Sequence, residues 1–122
     1  MSFALAPASD FVAFVCDQLA PWGAVAARRM FSGQGLFRNG TMFALVIRDT
    51  LYFRTDGVNA DDFASAGMEP FRYSRNGRRV ALAYHEVPAE VLDEADRLAA
   101  WAEKAYAAAL RRTAQRPKTK RR

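Results

Sequence analysis

The chain opens with apolar positions at helical spacing. Ser9 offers a hydroxyl that can cap the first backbone N–H groups of a helix, and Pro21 and Gly23 would end it. The mostly apolar stripe between them consists of Phe11, Phe14, Val15, Gln18 and Leu19. This spacing predicts one N-terminal helix that packs on a sheet.

After residue 23 the pattern changes to short apolar runs separated by turn dipeptides. The predicted strands cover residues 25–31, 36–38, 41–48, 51–54, 71–73 and 80–87. Asn39-Gly40 and Asn76-Gly77 each join two of them, and Asn-Gly favours the positive φ angles of a type I′ hairpin. Asp49-Thr50 is predicted as a further tight turn. Strands joined by such turns must be antiparallel.

The strand at 41–48 is apolar on both faces. Its alternating sets are Phe43, Leu45, Ile47 and Met42, Ala44, Val46. Because a strand with two apolar faces is buried on both sides, this pattern predicts a central strand that is covered twice.

Further helices complete the pattern. Residues 56–66 predict a short helix, with Asp61 and Asp62 near its positive N-terminal end and Gly67 just beyond it. Pro88 is expected at the first position of another helix. The final helix covers about residues 95–112, with a stripe formed by Leu98, Trp101, Ala102, Ala105 and Ala109. The predicted fold class is α+β: an antiparallel sheet, made of a meander plus a hairpin, packed with an N-terminal helix, a short middle helix and C-terminal helices.

Composition places this fold in one domain. The chain has 122 residues, 51% of them hydrophobic, which is enough for one core. No run approaches the roughly 18 apolar residues of a membrane span, and residues 1–10 lack the pattern of a signal peptide. Cys16 is the only cysteine, so no disulfide can form within the chain. These features favour a cytoplasmic protein without membrane contact.

The net charge of +5 comes from the last twelve residues of the chain. Residues 111–122 hold seven basic residues and no acid, which leaves eleven basic and thirteen acidic residues in positions 1–110. The change predicts a folded domain at residues 1–112 and a disordered basic tail at 113–122.

Candidate chemistry is sparse. Cys16 is predicted to be a packing residue of the first helix. His85, the only histidine, is predicted to be a surface or edge histidine. A structural metal site takes about four Cys or His ligands. The pattern therefore predicts a protein that is not an enzyme and that uses neither a metal nor a cofactor.

Clustered arginine and lysine side chains favour contacts with nucleic-acid phosphates. The candidate contacts are Arg75, Arg78, Arg79, Arg111, Arg112, Arg116, Lys118, Lys120, Arg121 and Arg122. A basic tail can also serve only solubility, so this interpretation stays an alternative.

Residues 28–35 are the second candidate site. Gly33 and Gly35 are expected to adopt backbone conformations that other residues avoid, so that a bulge or tight turn joins two strands there. One interpretation is packing alone. The other is a partner or ligand groove formed by Arg28, Arg29, Met30, Phe31, Ser32, Gly33, Gln34 and Gly35.

Three runs of this chain, with two short segments after them, form a distinctive pattern. They are residues 29–37 (RMFSGQGLF), 39–46 (NGTMFALV) and 51–54 (LYFR), followed by 84–88 and 98–101. Together they resemble the N-terminal domain of the TfoX/Sxy family of competence regulators. The family pattern is Arg-x-Met-Phe-Gly-x-x-Gly, with Ser32 standing here where a glycine is usual.

The resemblance covers about residues 11–110 and implies an α+β domain. Full-length regulators carry a second, helical C-terminal domain, so this chain is expected to be a standalone N-terminal domain. The function implied is a non-enzymatic regulatory or adaptor domain that contacts a protein partner, such as a transcription complex, in transcriptional regulation. The alternative is a nucleic-acid-binding accessory protein that uses the basic tail and the arginine-rich hairpin.

Overall fold

Antiparallel pairing organises the whole computed structural model, which describes residues 9–30 and 32–115. The described strands form one sheet of order β1-β2-β3-β4-β6-β5. They are β1 (Ala26–Met30), β2 (Gly33–Arg38), β3 (Thr41–Ile47), β4 (Thr50–Arg54), β5 (Pro70–Arg75) and β6 (Arg78–Glu86). The helices are α1 (Asp10–Leu19), α2 (Ala60–Ser65), α3 (Ala89–Leu92) and α4 (Ala95–Gln115). The predicted α+β class, with a meander plus a hairpin, is confirmed.

The hairpin turns follow their sequence signals. Asn39 and Gly40 have φ angles of 50° and 79°, and Asn76 and Gly77 have 53° and 78°, as a type I′ turn requires. The third turn lies one residue earlier than predicted. Its positive φ angles fall on Arg48 (48°) and Asp49 (59°), and Thr50 already belongs to β4.

A β-bulge in β3 changes which of its side chains point to each face of the sheet. Leu36 pairs with Ala44, but Phe37 pairs with Met42, so Phe43 is an extra residue on β3. Phe43 and Ala44 consequently both join the helix-side core, whereas Leu45 and Ile47 lie on the other face. The predicted alternation, with Phe43 beside Leu45 and Ile47, is therefore wrong at Phe43.

The main core lies between the sheet and the helices. α4 packs on β3 and β4 through a stripe that includes Leu98, Ala102 and Ala105. Ser9 caps α1 as predicted, because its Oγ accepts the Val12 N–H at 3.1 Å. The buried face of α1, which packs against α4, is formed by Val12, Val15 and Leu19. Phe14 is 41% exposed, so the predicted apolar stripe is wrong there.

The glycines of β2 are needed for space rather than for an unusual φ angle. Gly33 and Gly35 both lie within β2 and pair with Met30 and Arg28, so the bulge or tight turn predicted at these glycines is wrong. Neither Gly33 nor Gly35 has a positive φ angle, so the predicted conformational reason is wrong. A Cβ on Gly33 would lie 2.0 Å from the Val46 carbonyl oxygen.

α2 is shorter than predicted because the chain before it forms a polar turn. The Asn59 Oδ1 accepts the Asp56 N–H at 2.8 Å, and the Asn59 Nδ2 donates to the Arg54 carbonyl at 3.0 Å. Asn59 is completely buried. The helix begins only after it, at Ala60, and ends before Gly67, whose φ of 78° fits the predicted position.

The two later helices differ slightly from expectation at their ends. Pro88 lies just before α3, at its N-cap, and not at its first helical position. α4 continues to Gln115, so residues 113–115 of the predicted tail are helical, and residues 116–122 lie outside the described residues. Among the described residues, no helix is long and apolar enough to cross a membrane.

Arg111 fastens the end of α4 to the turn before α2. Its Nε and Nη2 donate to the Asp56 carboxylate at 2.7 and 3.0 Å. These hydrogen bonds, opposed in part by burial, hold the pKa of Asp56 below its usual value. The pair is partly exposed, so water and salt screen it.

We therefore expect Arg111→Gln to destabilise the fold by about 1 kcal/mol or less at neutral pH. Because the Asp56 pKa is lowered in the fold, the stabilisation is present above the usual pKa of about 3.9 and disappears as the pH falls through the lowered pKa. Thermal melting at neutral and strongly acidic pH tests this. The neighbouring Arg112→Gln is the control. An Arg111→Gln effect that persists once Asp56 is protonated contradicts the prediction.

Candidate interaction surfaces

The second face of the sheet carries apolar side chains that no described helix covers. Leu45, Ile47 and Tyr84 are buried beneath their neighbours on the strands. We call this surface the open sheet face and define it by Leu45, Ile47, Tyr52, Phe71, Tyr73, Leu82 and Tyr84. The predicted double covering of β3 therefore comes from helices on one side and from strand side chains on the other.

Aromatic rings form much of the open sheet face. The Phe71 ring lies 5.0 Å from that of Tyr52, edge on, and 6.4 Å from that of Tyr73, nearly parallel. Phe71 and Tyr73, together with Ser32, Ile47 and Leu82, line an apolar concavity of about 280 Å³. Burial, and secondly the Glu86 carboxylate, raise the pKa of Tyr52, so its hydroxyl stays protonated and can donate a hydrogen bond.

Arginines surround this apolar surface. The Arg28 guanidinium lies 5.2 Å from the Phe37 ring centroid, and that of Arg54 lies 5.4 Å from the Tyr84 ring centroid. Arg48 and Arg79 line the adjoining part of the concavity. No described acidic side chain lies within 4.0 Å of Arg48 or Arg79. The face therefore combines an apolar floor with positive charge at its margin.

The candidate groove at residues 28–35 is divided between the two faces of the sheet. Arg29, Ser32, Gly33 and Gln34 line a polar cavity of about 250 Å³ beside the start of α1. Three of the others lie on the open sheet face: Arg28 lies over Phe37, and the Met30 sulfur is 2.7 Å from where a Gly35 Cβ would be. Phe31 lies outside the described residues. The paired residues Arg29 and Gln34 point to the helix side and the next pair, Arg28 and Gly35, to the other side, because successive residues of a strand alternate between its two faces.

The predicted nucleic-acid contacts are also dispersed. Arg75, Arg78 and Arg79 are exposed around the β5–β6 turn, and none of them lies within 4.0 Å of a described acidic side chain. Arg111 binds Asp56 within the fold, whereas Arg112 is exposed near the end of α4. The others lie outside the described residues: Arg116, Lys118, Lys120, Arg121 and Arg122.

Arg38 is another arginine that the fold itself uses. Its guanidinium lies 4.2 Å from the Trp22 ring centroid and 5.0 Å from that of Tyr106. Its Nη2 donates to the Trp22 carbonyl at 3.3 Å, and its Nη1 lies 3.7 Å from the Glu103 carboxylate. These contacts join the end of β2 to α4, so the Arg38 guanidinium stabilises the packing of the helix on the sheet.

Cys16 and His85, the single cysteine and the single histidine of the chain, are both partly buried. Burial, followed by the nearby Asp17, raises the pKa of the Cys16 thiol, which leaves little of the nucleophilic thiolate. His85 lies on β6 between β4 and β5, so the prediction of an edge histidine is wrong. The other predicted position, at the surface, is met in part, because His85 is only partly buried. Its Nδ1 is 2.9 Å from the Thr55 Oγ1, and burial lowers its pKa. No group of three potential metal ligands occurs within residues 9–30 and 32–115.

The open sheet face was not identified from the sequence. The signal for it was present, since Phe71 and Tyr73 alternate with polar residues and Leu82 and Tyr84 alternate with alanines. Alternation alone cannot say which face the helices cover, so these side chains could not be distinguished from core residues.

Comparison with known proteins adds an independent line of evidence. The family model described as the TfoX N-terminal domain matches residues 17–109. A protein of Haemophilus influenzae named "DNA transformation protein TfoX" is 33% identical over 90 residues, which is 73% of this chain and 41% of that protein. The match thus spans less than half the length of this relative.

Proposed function

Because this chain belongs to the TfoX N-terminal domain family, we propose that it is a non-enzymatic adaptor domain that works through protein contacts in the transcriptional regulation of competence. It acts in the cytoplasm. The observation that carries the proposal is the open sheet face, an apolar and aromatic surface without a described helix on it.

The composition of the open sheet face is that of a protein-binding surface. Tyrosine, phenylalanine and arginine are enriched in protein interfaces, where aromatic anchors fill pockets and arginines pair at the margin. Tyr73 and Leu82 are only half-buried, so they are available to a partner. The concavity they line beside Ile47 provides a pocket for one apolar anchor side chain.

The arginines beside the apolar concavity indicate which kind of protein segment it would bind. Arg48 and Arg79 lie beside the apolar concavity without an acid within 4.0 Å among the described residues. Electrostatic complementarity then favours a protein segment with acidic residues next to an apolar anchor. We therefore assign the open sheet face to an acidic, apolar segment of a protein partner.

A nucleic-acid-binding accessory function is the second candidate. It is supported by Arg75, Arg78 and Arg79, which are exposed around the β5–β6 turn. Clustered guanidinium groups bind phosphates in a manner that weakens steeply with salt. Under this alternative the tip of the hairpin, rather than the open sheet face, makes the functional contact.

Photo-crosslinking within cells distinguishes the two candidates. A photoreactive phenylalanine analogue replaces Tyr73 on the open sheet face, Arg78 at the hairpin tip, or Phe14 on the outer surface of α1 as the control. The proposal predicts one major protein adduct from position 73 that is absent from position 14. The Arg48→Glu and Arg79→Glu exchanges together should lower its yield at least tenfold, because they reverse the charge that attracts an acidic segment.

Two results would contradict the adaptor function. One is a set of adducts at position 73 that matches position 14 and does not respond to the charge reversal. The other is adduct formation only at position 78 and only with material that nuclease removes, which would support the nucleic-acid alternative.

A further inference from the structure

A polar cavity of about 250 Å³ lies on the helix side of the sheet, where the start of α1 meets the ends of β2 and β3. We call it the α1–sheet cavity. Its polar lining includes Ser9, Arg29, Ser32, Gln34, Arg48 and Asp49. The volume is suited to a small molecule rather than to a peptide.

Gln34 is the unusual member of this lining. It pairs with Arg29 on one side and with Val46 on the other, so its side chain shares the helix-side face of the sheet with them. Gln34 is only 7% exposed, and its amide forms no side-chain hydrogen bond among the described residues. The amide atoms are not fully enclosed, because within the described residues only the Arg54 Nε is both fully buried and without a partner. The Gln34 amide therefore opens into the cavity, where it is available to a bound molecule.

The charges around the cavity identify the kind of molecule. Arg29 and Arg48 are exposed, and neither lies within 4.0 Å of a described carboxylate. The first turn of α1 contributes the positive end of a helix. The acidic groups nearby are Asp49 in the lining and Asp10 in the first turn of α1. Asp49 could accept a hydrogen bond from a hydroxyl of the same ligand.

We propose that the α1–sheet cavity binds a small, soluble oxyanion, a phosphate or carboxylate group whose molecule also carries a hydroxyl. Arg29 and Arg48 neutralise the oxyanion, and the Gln34 amide donates to one of its oxygens. The site differs from a phosphate-binding glycine loop, because its donors are side chains of strands and of a turn. Its Gln34 amide lies on the opposite face of the sheet from Phe71 and Tyr73 of the proposed partner surface.

Two residues nevertheless connect the cavity to the open sheet face. Ser32 and Arg48 line both the α1–sheet cavity and the concavity next to Phe71. An oxyanion that engages the Arg48 guanidinium would withdraw it from a partner on the other face. Ligand binding would then weaken the attraction for an acidic partner.

Titration of the full chain by two-dimensional amide NMR tests the site. The probes are glycerol 3-phosphate and lactate, which place a hydroxyl beside a phosphate and a carboxylate respectively, with sodium chloride at matched ionic strength as the baseline. We expect saturable shifts of the backbone amides of Asp10–Val12 and of the Gln34 side-chain amide with one of the two probes. The probe that saturates at the lower concentration identifies the oxyanion.

Variants decide whether Gln34 and Arg29 form the site. Gln34→Leu has a similar volume and removes the amide from this largely buried position, so we expect a folded protein with at least tenfold weaker binding. Arg29→Gln should weaken binding to a similar extent, while Arg78→Gln at the hairpin tip should bind like the parent chain. Shifts that follow ionic strength alone, or binding that survives in folded Gln34→Leu, would overturn the proposal. Neither result depends on Tyr73, so the partner-binding function is tested separately.

Discussion

Replacement of Gly33 by alanine is expected to lower the free energy of unfolding by about 3 kcal/mol. The added Cβ would lie 2.0 Å from the Val46 carbonyl oxygen and 2.8 Å from the Ile47 Cδ1. The oxygen belongs to the backbone of β3, a central strand, so it cannot move without separating the β2–β3 ladder. For a domain of this size the loss corresponds to a fall in melting temperature of roughly 10 °C.

Two other glycines provide graded controls for this measurement. A Cβ on Gly35 would meet the sulfur atoms of Met30 and Met42 at 2.7 and 3.0 Å, and these flexible ends can move aside, so Gly35→Ala should cost less. A Cβ on Gly57 would have nothing within 4 Å, so Gly57→Ala should be neutral or slightly stabilising. Equal melting temperatures for Gly33→Ala and Gly57→Ala would show that β2 and β3 are not packed as described.

The second large effect is expected at Asn59. Its amide satisfies the Asp56 N–H and the Arg54 carbonyl at 2.8 and 3.0 Å, and the residue is completely buried. Asn59→Ala leaves both backbone groups without their partner in a buried site, so we expect a loss of about 2–4 kcal/mol. Chemical denaturation measures the change.

A matched control separates buried from exposed hydrogen bonds. The Thr113 hydroxyl donates to the Ala109 carbonyl at 3.2 Å near the exposed end of α4, so Thr113→Ala should change stability by less than about 0.5 kcal/mol. An Asn59→Ala variant as stable as Thr113→Ala would mean that the turn before α2 is held in another way.

The hairpins were predictable because the residue types of their turns and strands are adjacent in the sequence. Asn39-Gly40 and Asn76-Gly77 carry the residue types that positive φ angles favour, and the apolar runs beside them have the length of strands. The Ser9 cap and the stripe of α4 were predictable for the same reason, because each depends on neighbours within a few residues. Such signals fix the elements and therefore the α+β class.

Features that depend on distant parts of the chain were not predictable. The bulge at Phe43 is a property of the pairing between β2 and β3, and it moves Phe43 to the helix side. The need for Gly33 arises from the carbonyl of Val46, thirteen residues later in the chain. Periodicity shows that a strand has two faces but cannot say which one the helices cover. The candidate groove at residues 28–35 was therefore split between two surfaces.

The two proposed binding surfaces lie on different sides of the sheet. Helices and their core occupy one side of the sheet, and the α1–sheet cavity lies at the margin of that side. The aromatic rings and arginines of the other side remain available to a partner. Arg48 borders both surfaces. Under the two proposals, a ligand in the α1–sheet cavity and a partner on the open sheet face would therefore compete for the same guanidinium group.

The measurement that tests the proposed function most directly is transformation by a chimeric regulator. Residues 10–115 of this chain replace the matching segment of the Haemophilus influenzae relative in cells that lack its own copy. We predict that the chimera restores DNA transformation. Tyr73→Ala should lower the transformation frequency at least tenfold, while Phe14→Ala, an exposed aromatic on α1, should leave it unchanged. A chimera that accumulates and folds but gives the same frequency with and without Tyr73 would contradict a role for the open sheet face.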